Sequence, residues 1–236
     1  MKPGILAIDI GGTGLKAAVI NEKGQMLAER VRVPTPHPCP PKILLENLKR
    51  MVAGLPEFDR ISIGFPGVVR EGKVLTAPNL DTSLWAGFPL RQAISRAFGN
   101  KPARLLNDAD MQGLGLVSGR GLEFVMTLGT GVGTALFRDG ELMPHMELAH
   151  HPIHKDKTYD EYLGEAKRKT LGKKQWNRRV RRAIELIDIL FMPDRIYIGG
   201  GNAARLDFPA DDHLRIGSND AGLEGGAALW REARRS

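Results

Sequence analysis

Short apolar runs interrupted by glycine-rich turns dominate the first part of the chain. Ile5–Ile10 and Leu15–Ile20 are apolar, and the small residues of Gly11–Gly14 lie between them. Short apolar runs bounded by such a cluster are typical of buried strands joined by a turn. The pattern therefore predicts two strands connected by a glycine loop, followed by a third strand at residues 26–33.

The same pattern returns in the second half of the chain. Phe124–Leu128 is apolar, the glycine loop Gly129–Gly133 follows, and Thr134–Phe137 is apolar again. Two similar units separated by roughly 120 residues indicate an internally duplicated fold. In both halves a helical stretch and a further strand come after the hairpin.

We therefore expect an α/β fold with two lobes that face each other across a cleft, with both glycine loops at that cleft. The predicted N-terminal lobe covers residues 1–106, and the predicted C-terminal lobe covers residues 107–220. Residues 221–236, which begin with a predicted closing helix, are a candidate to pack back on the N-terminal lobe.

A long helix is predicted in the last third of the chain. Apolar residues at spacings of three or four form a stripe from Trp176 to Phe191. The arginines between Arg178 and Arg182 fall away from this stripe. The helix is therefore expected to pack its apolar face and to leave these arginines for solvent or for an anion.

The charge distribution adds to this picture. The chain has 236 residues, of which 42% are hydrophobic, and this excludes disorder as its main state. Residues 155–182 contain eleven Lys and Arg against four acids, which accounts for the whole net charge of +7. Such a segment is typical of a binding surface for an anionic ligand, and a solvated helix face is the alternative.

Several classes of protein are disfavoured. The sequence contains no run of about 18 apolar residues, the length that a membrane-spanning helix needs. The N-terminus also lacks the pattern of a signal peptide. The single cysteine, Cys39, allows neither an internal disulfide nor a multi-cysteine zinc site. We expect a cytoplasmic protein without a membrane partner.

Three glycine-rich loops are candidates for phosphate binding, because each directly follows an apolar strand. They are Gly11–Gly14, Gly129–Gly133 and Gly199–Gly201. Residues without a Cβ let a phosphate approach the backbone N–H groups of a loop. A tight hairpin explains any one of them, but three such loops favour phosphate binding.

Carboxylates lie beside predicted strand ends. Asp9 would repel a phosphate at its glycine loop unless Mg²⁺ lay between them, and capping of the turn is the alternative. Asn107 and Asp108 follow the predicted strand Ala103–Leu106, at the end where α/β folds bind ligands. Asp108 could accept a proton from an attacking hydroxyl group, and a helix N-cap is the alternative.

A cluster of acid and imidazole groups follows the second hairpin. It comprises Glu147, His150, His151 and His154. These side chains could hydrogen-bond a polyhydroxy ligand, and ligation of a zinc ion is the alternative.

Together these motifs resemble those of the ROK sugar-kinase family, which has the actin-like ATPase (ribonuclease H-like) fold, and they follow the family's order over most of the chain. The matching segments are Ile8–Lys16 for the first phosphate motif, Gly64–Gly67 for the sugar loop, Leu106–Ala109 for the catalytic motif, Leu128–Gly133 for the second phosphate motif, Glu147–His150 for the sugar-contacting Glu-x-x-His and Ile198–Gly201 for the adenosine-side loop.

The resemblance implies a kinase in which Asp108 is the general base that deprotonates a sugar hydroxyl group. Gly67, Asn107, Glu147 and His150 would hold other hydroxyl groups, and Asp9 would serve Mg²⁺. The implied phosphate-binding residues are Gly11, Gly12, Thr13, Gly14 and Lys16 in the first loop, Gly129, Thr130, Gly131 and Gly133 in the second, and Gly200 and Gly201 in the third.

The chain departs from the family pattern at one point. Most members carry a zinc module of one His and three Cys directly after the Glu-x-x-His, whereas the corresponding stretch His151–Lys157 has no cysteine. No zinc is therefore expected, and another partner must orient His150. Glu161 is the candidate for the family's later sugar-binding Glu.

Within the family, a short chain that lacks the zinc module and ends in this way resembles the members that phosphorylate glucose with inorganic polyphosphate, some also with ATP. We expect glucose or a similar hexose as acceptor, polyphosphate or ATP as donor, and a homodimer. An ATP-dependent hexokinase and a sugar-responsive regulator are the alternatives. The regulators carry an N-terminal helix-turn-helix, whereas only Met1–Gly4 precede Ile5, so no specific nucleic-acid partner is expected.

Overall fold

The computed structural model describes residues 3–217 and 221–231. The strands are β1 Gly4–Ile10, β2 Gly14–Ile20, β3 Val31–Pro34, β4 Phe58–Phe65, β5 Val69–Arg70, β6 Lys73–Val74, β7 Ala103–Asn107, β8 Leu122–Leu128, β9 Val132–Arg138, β10 Glu141–Leu142, β11 Pro152–His154, β12 Lys157–Thr158, β13 Arg195–Gly199 and β14 Leu214–Ile216. The helices are α1 Pro41–Val52, α2 Thr82–Trp85, α3 Leu90–Ala97, α4 Asp108–Leu114, α5 Tyr159–Leu163, α6 Glu165–Phe191 and α7 Ala221–Ala228, with short 3₁₀ helices at Leu148–His150 and Ala203–Arg205.

The two main sheets have the same topology, which confirms the predicted duplication. The strand order is β3-β2-β1-β4-β7 in the first sheet and β10-β9-β8-β13-β14 in the second. In each sheet the first three strands pair antiparallel and the last two join in parallel. The first two glycine loops join equivalent strands, β1 to β2 and β8 to β9.

Contacts between residues separate the chain into two units. Unit 1 contains the described residues up to Gly115 and those from Gly222 onwards, and unit 2 contains the described residues of Leu116–Ala221. The sequence placed the first boundary at residue 106. In the structure α4 packs against β4 and β7, so it belongs with the first sheet.

Unit 1 has apolar cores on both faces of its sheet. One face packs against α1 and α3, and the other packs against α7, where Ile5 and Ala7 meet Ala227. Trp230 follows α7; its Nε1 donates to Ser62 Oγ at 2.8 Å. The chain from Leu223 to Trp230 therefore packs on the first sheet, and residues 232–236 of the predicted segment lie outside the described residues.

Unit 2 packs α6 against its sheet, and the predicted apolar stripe is correct. Trp176, Val180 and Ile187 are fully buried. The helix begins at Glu165, well before the stripe, and is kinked at Gly172, which has a φ of 73°. Among the described residues, no helix is both long and apolar enough to cross a bilayer.

The predicted third strand is wrong in its extent. β3 begins only at Val31, and Met26 makes just an isolated bridge with Ile20. Met26 and Leu27 are 50% and 48% exposed. Their apolar side chains indicated a strand, but in the structure they lie at the surface.

Candidate active site

Side chains of the proline-rich segment Pro34–Pro41 contact backbone carbonyl groups of the first glycine loop. Thr35 Oγ1 donates to the Gly11 carbonyl at 2.6 Å, and His37 Nε2 lies 3.0 Å from the Gly12 carbonyl oxygen. These contacts use carbonyl oxygens of the loop and fix its conformation. Sequence reasoning singled out neither residue, because neither belongs to a periodic pattern or to one of the motifs above.

The rest of the first loop is compact. The Gly11 N–H donates to the Gly14 carbonyl at 3.0 Å, whereas the Thr13 side chain is exposed. A Cβ on Gly12 would lie 2.7 Å from Asn79 Cβ. Because that distance is shorter than any ordinary contact, residue 12 must be glycine unless Asn79 moves.

Asp9 and Lys16 form an ion pair at the start of this loop. They are cross-strand partners on β1 and β2, and Lys16 Nζ lies 2.6 Å from Asp9 Oδ2. Each side chain keeps more than a third of its surface exposed. Asp9 is therefore an accessible carboxylate at the end of a buried strand.

Parallel pairing brings Asp9 and Asp108 to the same edge of the first sheet. Asp9 is the register partner of Gly64 on β4, and Gly64 is the partner of Leu106 on β7. A Cβ on Gly64 would lie 3.4 Å from the Cα of Asp108. With neighbouring strands about 4.8 Å apart, the ends of β1 and β7 lie about 10 Å from each other.

Asn107 and Asp108 have different structural roles. The buried Asn107 is the N-cap of α4, and its Oδ1 accepts the Ala109 N–H at 2.8 Å and the Asp110 N–H at 3.4 Å. Asp108 is the first residue of the helix; its Oδ1 accepts from Ala109 N–H at 2.9 Å, and it is partly buried. The N-cap alternative therefore accounts for Asn107 but not for Asp108.

Asn107 also ties the predicted sugar loop to the catalytic motif. Its Nδ2 donates to the Gly67 carbonyl at 3.1 Å. A Cβ on Gly67 would lie 2.1 Å from the Thr76 carbonyl oxygen, so the backbone passes too close for any other residue. The contacts of Asn107 and Gly67 with a sugar remain predictions.

The second and third glycine loops pack against each other within unit 2. Asn202 donates from its backbone N to the Leu128 carbonyl at 2.9 Å and from Nδ2 to the Gly129 carbonyl at 3.2 Å. Gly200 has a φ of 83°, and a Cβ there would lie 2.4 Å from the Leu128 carbonyl oxygen. The buried Asn202 was missed as a site residue, although it ends the Gly-Gly-Gly-Asn run.

Glu165, at the start of α6, also holds the second loop. Its backbone N–H lies 3.1 Å from the carbonyl oxygens of both Gly129 and Thr130, and its Oε2 accepts from Asn202 at 2.9 Å. Hydrogen bonds from Arg168, opposed by burial and reinforced by Asn202, lower the pKa of the Glu165 carboxyl to about 2. The carboxylate is thus ionised at any physiological pH.

Glu147, His150 and Asp160 are electrostatic neighbours in unit 2. Burial raises the pKa of the Glu147 carboxyl, but His145, whose Nε2 lies 3.7 Å from Oε2, and His150 outweigh it, so that the pKa is lowered. Burial dominates at Asp160 and raises its pKa, although it accepts the Val132 N–H at 2.6 Å. Glu147 is therefore a carboxylate acceptor at neutral pH.

Asp160 contacts the second glycine loop, and sequence reasoning missed it. A Cβ on Gly131 would lie 2.6 Å from Asp160 Oδ1. The neighbouring Glu161 is exposed and serves a capping box, in which its Oε2 accepts the Thr158 N–H at 2.9 Å. The Glu161 carboxylate is thus already hydrogen-bonded at the start of α5. The sugar contact expected of Glu161 stays a prediction.

A short hairpin and a stack of side chains occupy the stretch where the family's zinc module would be. β11 and β12 pair antiparallel, and the ring of His154 lies 5.6 Å from that of Tyr162. The Arg179 guanidinium lies 4.2 Å from the centroid of the Tyr162 ring and donates to the Tyr162 carbonyl at 3.2 Å. The hairpin that follows His150 is thus joined to α5 and α6 by packing.

The residues 3–217 and 221–231 contain no group of three or more His, Cys, Asp or Glu placed to hold a metal ion. The histidines predicted as possible zinc ligands are spread over separate contacts: His150 ends the 3₁₀ helix, His151 is exposed, and His154 stacks on Tyr162. The absence of zinc from the protein stays a prediction.

Comparisons with known proteins agree with these motifs. The family model described as the ROK family matches residues 5–155. The polyphosphate glucokinase of Mycobacterium tuberculosis (strain H37Rv) is 30% identical over 208 residues, which cover 85% of this chain and 78% of that protein. The crystal structure of inorganic polyphosphate/ATP-glucomannokinase from Arthrobacter sp. strain KM has a TM-score of 0.85 and 30% identity, and the match covers 97% of this chain and 98% of that one.

A more distant structure agrees in fold. A ROK family glucokinase from Streptomyces griseus, in complex with glucose and AMPPNP, matches with a TM-score of 0.81 and 19% identity over 96% of this chain and 98% of its own. These similarities confirm the expected two-unit α/β architecture of the actin-like ATPase fold.

Proposed function

The chain belongs to the ROK family, and from that premise we propose that it is a kinase that transfers a phosphoryl group from inorganic polyphosphate, or from ATP, to the 6-hydroxyl group of glucose. The observation that carries the proposal is the similarity to a polyphosphate glucokinase over most of both chains. The positions of Asp9 and Asp108 at one sheet edge support it.

Asp108 acts as the general base. Its carboxylate accepts the proton of the sugar hydroxyl group while the hydroxyl oxygen attacks the terminal phosphorus of the donor, and the bond from phosphorus to the leaving phosphate oxygen breaks. A positioned base of this kind accelerates transfer by about 10²- to 10⁴-fold. The N-cap of α4 is Asn107 and not Asp108. This supports the role of Asp108, because the first turn of the helix is fixed without Asp108 as its cap.

The glycine loops bind the donor phosphates through those backbone N–H groups that are not used within the loops, as the N–H groups of Gly11 and Gly129 are, and such groups suit any phosphate chain. The proposed contacts are those of Gly11, Gly12, Thr13, Gly14 and Lys16, of Gly129, Thr130, Gly131 and Gly133, and of Gly200 and Gly201. Phosphoryl transfer depends mainly on such positioning and on neutralisation of charge.

Asp9 fits the requirements of Mg²⁺. It is an accessible carboxylate that already attracts a cation, the ammonium group of Lys16, and Mg²⁺ needs only one or two protein carboxylates when phosphates and water complete its shell. When bound, the ion would neutralise the charge of the donor phosphates. Lys16 would then be available for the phosphates themselves.

Glu147, His150, Asn107, Gly67 and Glu161 are the proposed sugar contacts. The lowered pKa of Glu147 supports its role, because an ionised carboxylate is a strong acceptor for sugar hydroxyl groups. In place of zinc, the acidic neighbours Glu147 and Asp160 would orient His150 by electrostatic attraction.

The test is phosphorylation of glucose with Mg²⁺ and either polyphosphate or ATP, measured side by side, with mannose and N-acetylmannosamine as alternative acceptors. We expect turnover of glucose with polyphosphate. Turnover with ATP alone would make the protein an ATP-dependent hexokinase, and no turnover with either donor would overturn the proposal. Metal analysis and size-exclusion chromatography test the expected absence of zinc and the expected homodimer.

A further inference from the structure

Besides Lys167, which is half-buried, and Lys169, which lies 3.5 Å from Glu165, the basic side chains of α6 fall into two groups that the sequence does not distinguish. Four arginines of the segment are engaged with neighbours. Arg168 pairs with Glu165 at 2.7 Å, Arg179 stacks on Tyr162 at 4.2 Å, Arg181 lies 3.8 Å from Asp207 and over the ring of Phe208, and Arg182 pairs with Glu185 at 3.0 Å. A polyanion could bind these arginines only in competition with those partners.

The other group comprises Lys173, Lys174 and Arg178. All three are exposed, and none forms an ion pair within the part of the chain that the structure describes. They follow the kink at Gly172 directly. Lys174 and Arg178 are four residues apart and therefore lie on the same face of the helix.

The helix that carries them begins at the second glycine loop. The N–H of Glu165 contacts the carbonyl groups of Gly129 and Thr130. At a rise of 1.5 Å per residue, the part of α6 before the kink, residues 165–171, is about 10 Å long, and Lys174 and Arg178 lie on the part that follows. A chain of phosphates that ends at the loop would need to be several units long to reach both side chains.

We propose that Lys173, Lys174 and Arg178 bind the distal phosphates of an inorganic polyphosphate chain whose reacting end lies at the loop Gly129–Gly133. This inference rests on the proposed kinase function and adds to it the surface that selects a long donor. Polyphosphate carries charge on every unit, so a row of unpaired cations can neutralise it without specific geometry. ATP carries only three phosphates, so its binding at the loop would not require this row.

The experiment compares two double variants of equal charge. Lys174→Gln with Arg178→Gln removes two unpaired cations, and Arg181→Gln with Arg182→Gln removes two paired cations from the next turn of the same helix. The Michaelis constants for long-chain polyphosphate, ATP and glucose are measured for each, at several salt concentrations. Direct binding of fluorescently labelled long-chain polyphosphate, without glucose, is measured in parallel.

For the first variant we expect the KM for polyphosphate to rise roughly three- to thirtyfold, as the loss of two exposed ion pairs implies. The slope of log affinity against log salt should fall by about 1.4, the value for two contacts with a flexible polyanion. The KM values for ATP and glucose should not change, and the second variant should resemble the wild type in all three.

In the comparison of the variants, two results would overturn the inference: equal shifts in both, which would show an effect of overall charge, or unchanged binding of polyphosphate in the first. Failure of the donor assignment is distinguishable from both. A wild-type protein that binds labelled polyphosphate through Lys174 and Arg178 but transfers phosphate only from ATP would retain the surface and lose the proposed donor. A wild-type protein that binds no polyphosphate would overturn the surface itself.

Discussion

The two sheets have the same strand order, but their glycine loops are held in different ways. In unit 1, side chains of an irregular segment, Thr35 and His37, hold the loop after β1. In unit 2, the backbone of Glu165 and the side chains of Asn202 and Asp160 hold the loop after β8. Topology thus fixes where each loop lies, and the residues packed behind it fix its conformation.

The two units also differ in the chemistry at these loops. The first sheet edge brings together the carboxylates of Asp9 and Asp108. Unit 2 combines two packed glycine loops with the cluster of Glu147, His150 and Asp160. Changes at Asp9 and Asp108 in unit 1 should therefore affect the chemical step, whereas changes at the loops and the acidic cluster of unit 2 should affect binding and stability.

The largest effect is expected for Asp108→Asn. This variant keeps the shape of the side chain but removes the proton acceptor, so kcat should fall about 10²- to 10⁴-fold while the fold and glucose binding remain. Steady-state kinetics, circular dichroism and calorimetry with glucose test this. Retention of more than about half of the turnover would show that Asp108 is not the general base.

Asn107→Ala tests the preceding residue, which caps the same helix. It removes the cap of α4 and should lower the free energy of unfolding by about 1 kcal/mol. Because it also releases the Gly67 carbonyl, its effect should appear in thermal unfolding. A variant of unchanged stability would contradict the structural role assigned to the cap.

Next in size is the effect of Gly200→Ala in unit 2. The positive φ and the short approach to the Leu128 carbonyl should lower the free energy of unfolding by about 3 kcal/mol. Gly201→Ala is the control, since a Cβ there would meet no atom within 4 Å. Urea denaturation of the two variants should separate them clearly, and equal stability would argue against close packing of the second and third loops.

Gly129→Ala distinguishes binding from stability at the second loop. A Cβ at this position has no neighbour within 4 Å and should leave the fold intact. It would, however, occupy space that a donor phosphate needs, and displacing the phosphate from one neighbouring N–H group corresponds to roughly ten- to a hundredfold in donor KM. Unchanged donor kinetics in a stable variant would exclude phosphate binding at residue 129.

Glu165→Gln weakens the support of the second loop in a pH-dependent way. The folded pKa of about 2 lies below the ordinary value, so the contribution of Glu165 to stability is present above about pH 4.3 and is lost as the pH falls towards 2. The variant should be less stable by about 1–2 kcal/mol at pH 7. The difference should shrink at pH 3, and a constant difference from pH 7 to pH 3 would speak against this pairing.

The smallest effect is expected at His213, beside the outer strand of the second sheet. The Asp188 carboxylate, 2.7 Å from His213 Nε2, raises the pKa of the imidazole against the effect of burial. Its contribution to stability is complete below the ordinary pKa of histidine and is lost as the pH rises through the raised one.

The wild type should therefore be more stable than His213→Gln at pH 6, and this advantage should diminish at pH 8.5. The control is His151→Gln, at an exposed histidine. If both variants followed the same pH profile of thermal unfolding, the Asp188 pair would have no measurable role.

Much of this organisation could be predicted from the sequence, because the strands around each glycine loop are short apolar runs and the motifs are contiguous. The duplication, the apolar stripe of α6 and the position of Asp108 after β7 follow from local patterns of this kind. Thr35, Asp160 and Asn202 could not be found in this way, since their partners are 24, 28 and 73 residues away in the chain.

The sequence by itself determined the order of strands and loops, the excess of positive charge in one segment and the residue types available for chemistry. Only the tertiary structure decided which of those groups have partners: Asn107 caps a helix, Glu161 closes a capping box, and Arg182 pairs with an acid, whereas Arg178 pairs with none of the acids in the described part of the chain. The reason is physical, because hydrogen bonds and ion pairs act over a few ångströms and depend on where folding places each side chain.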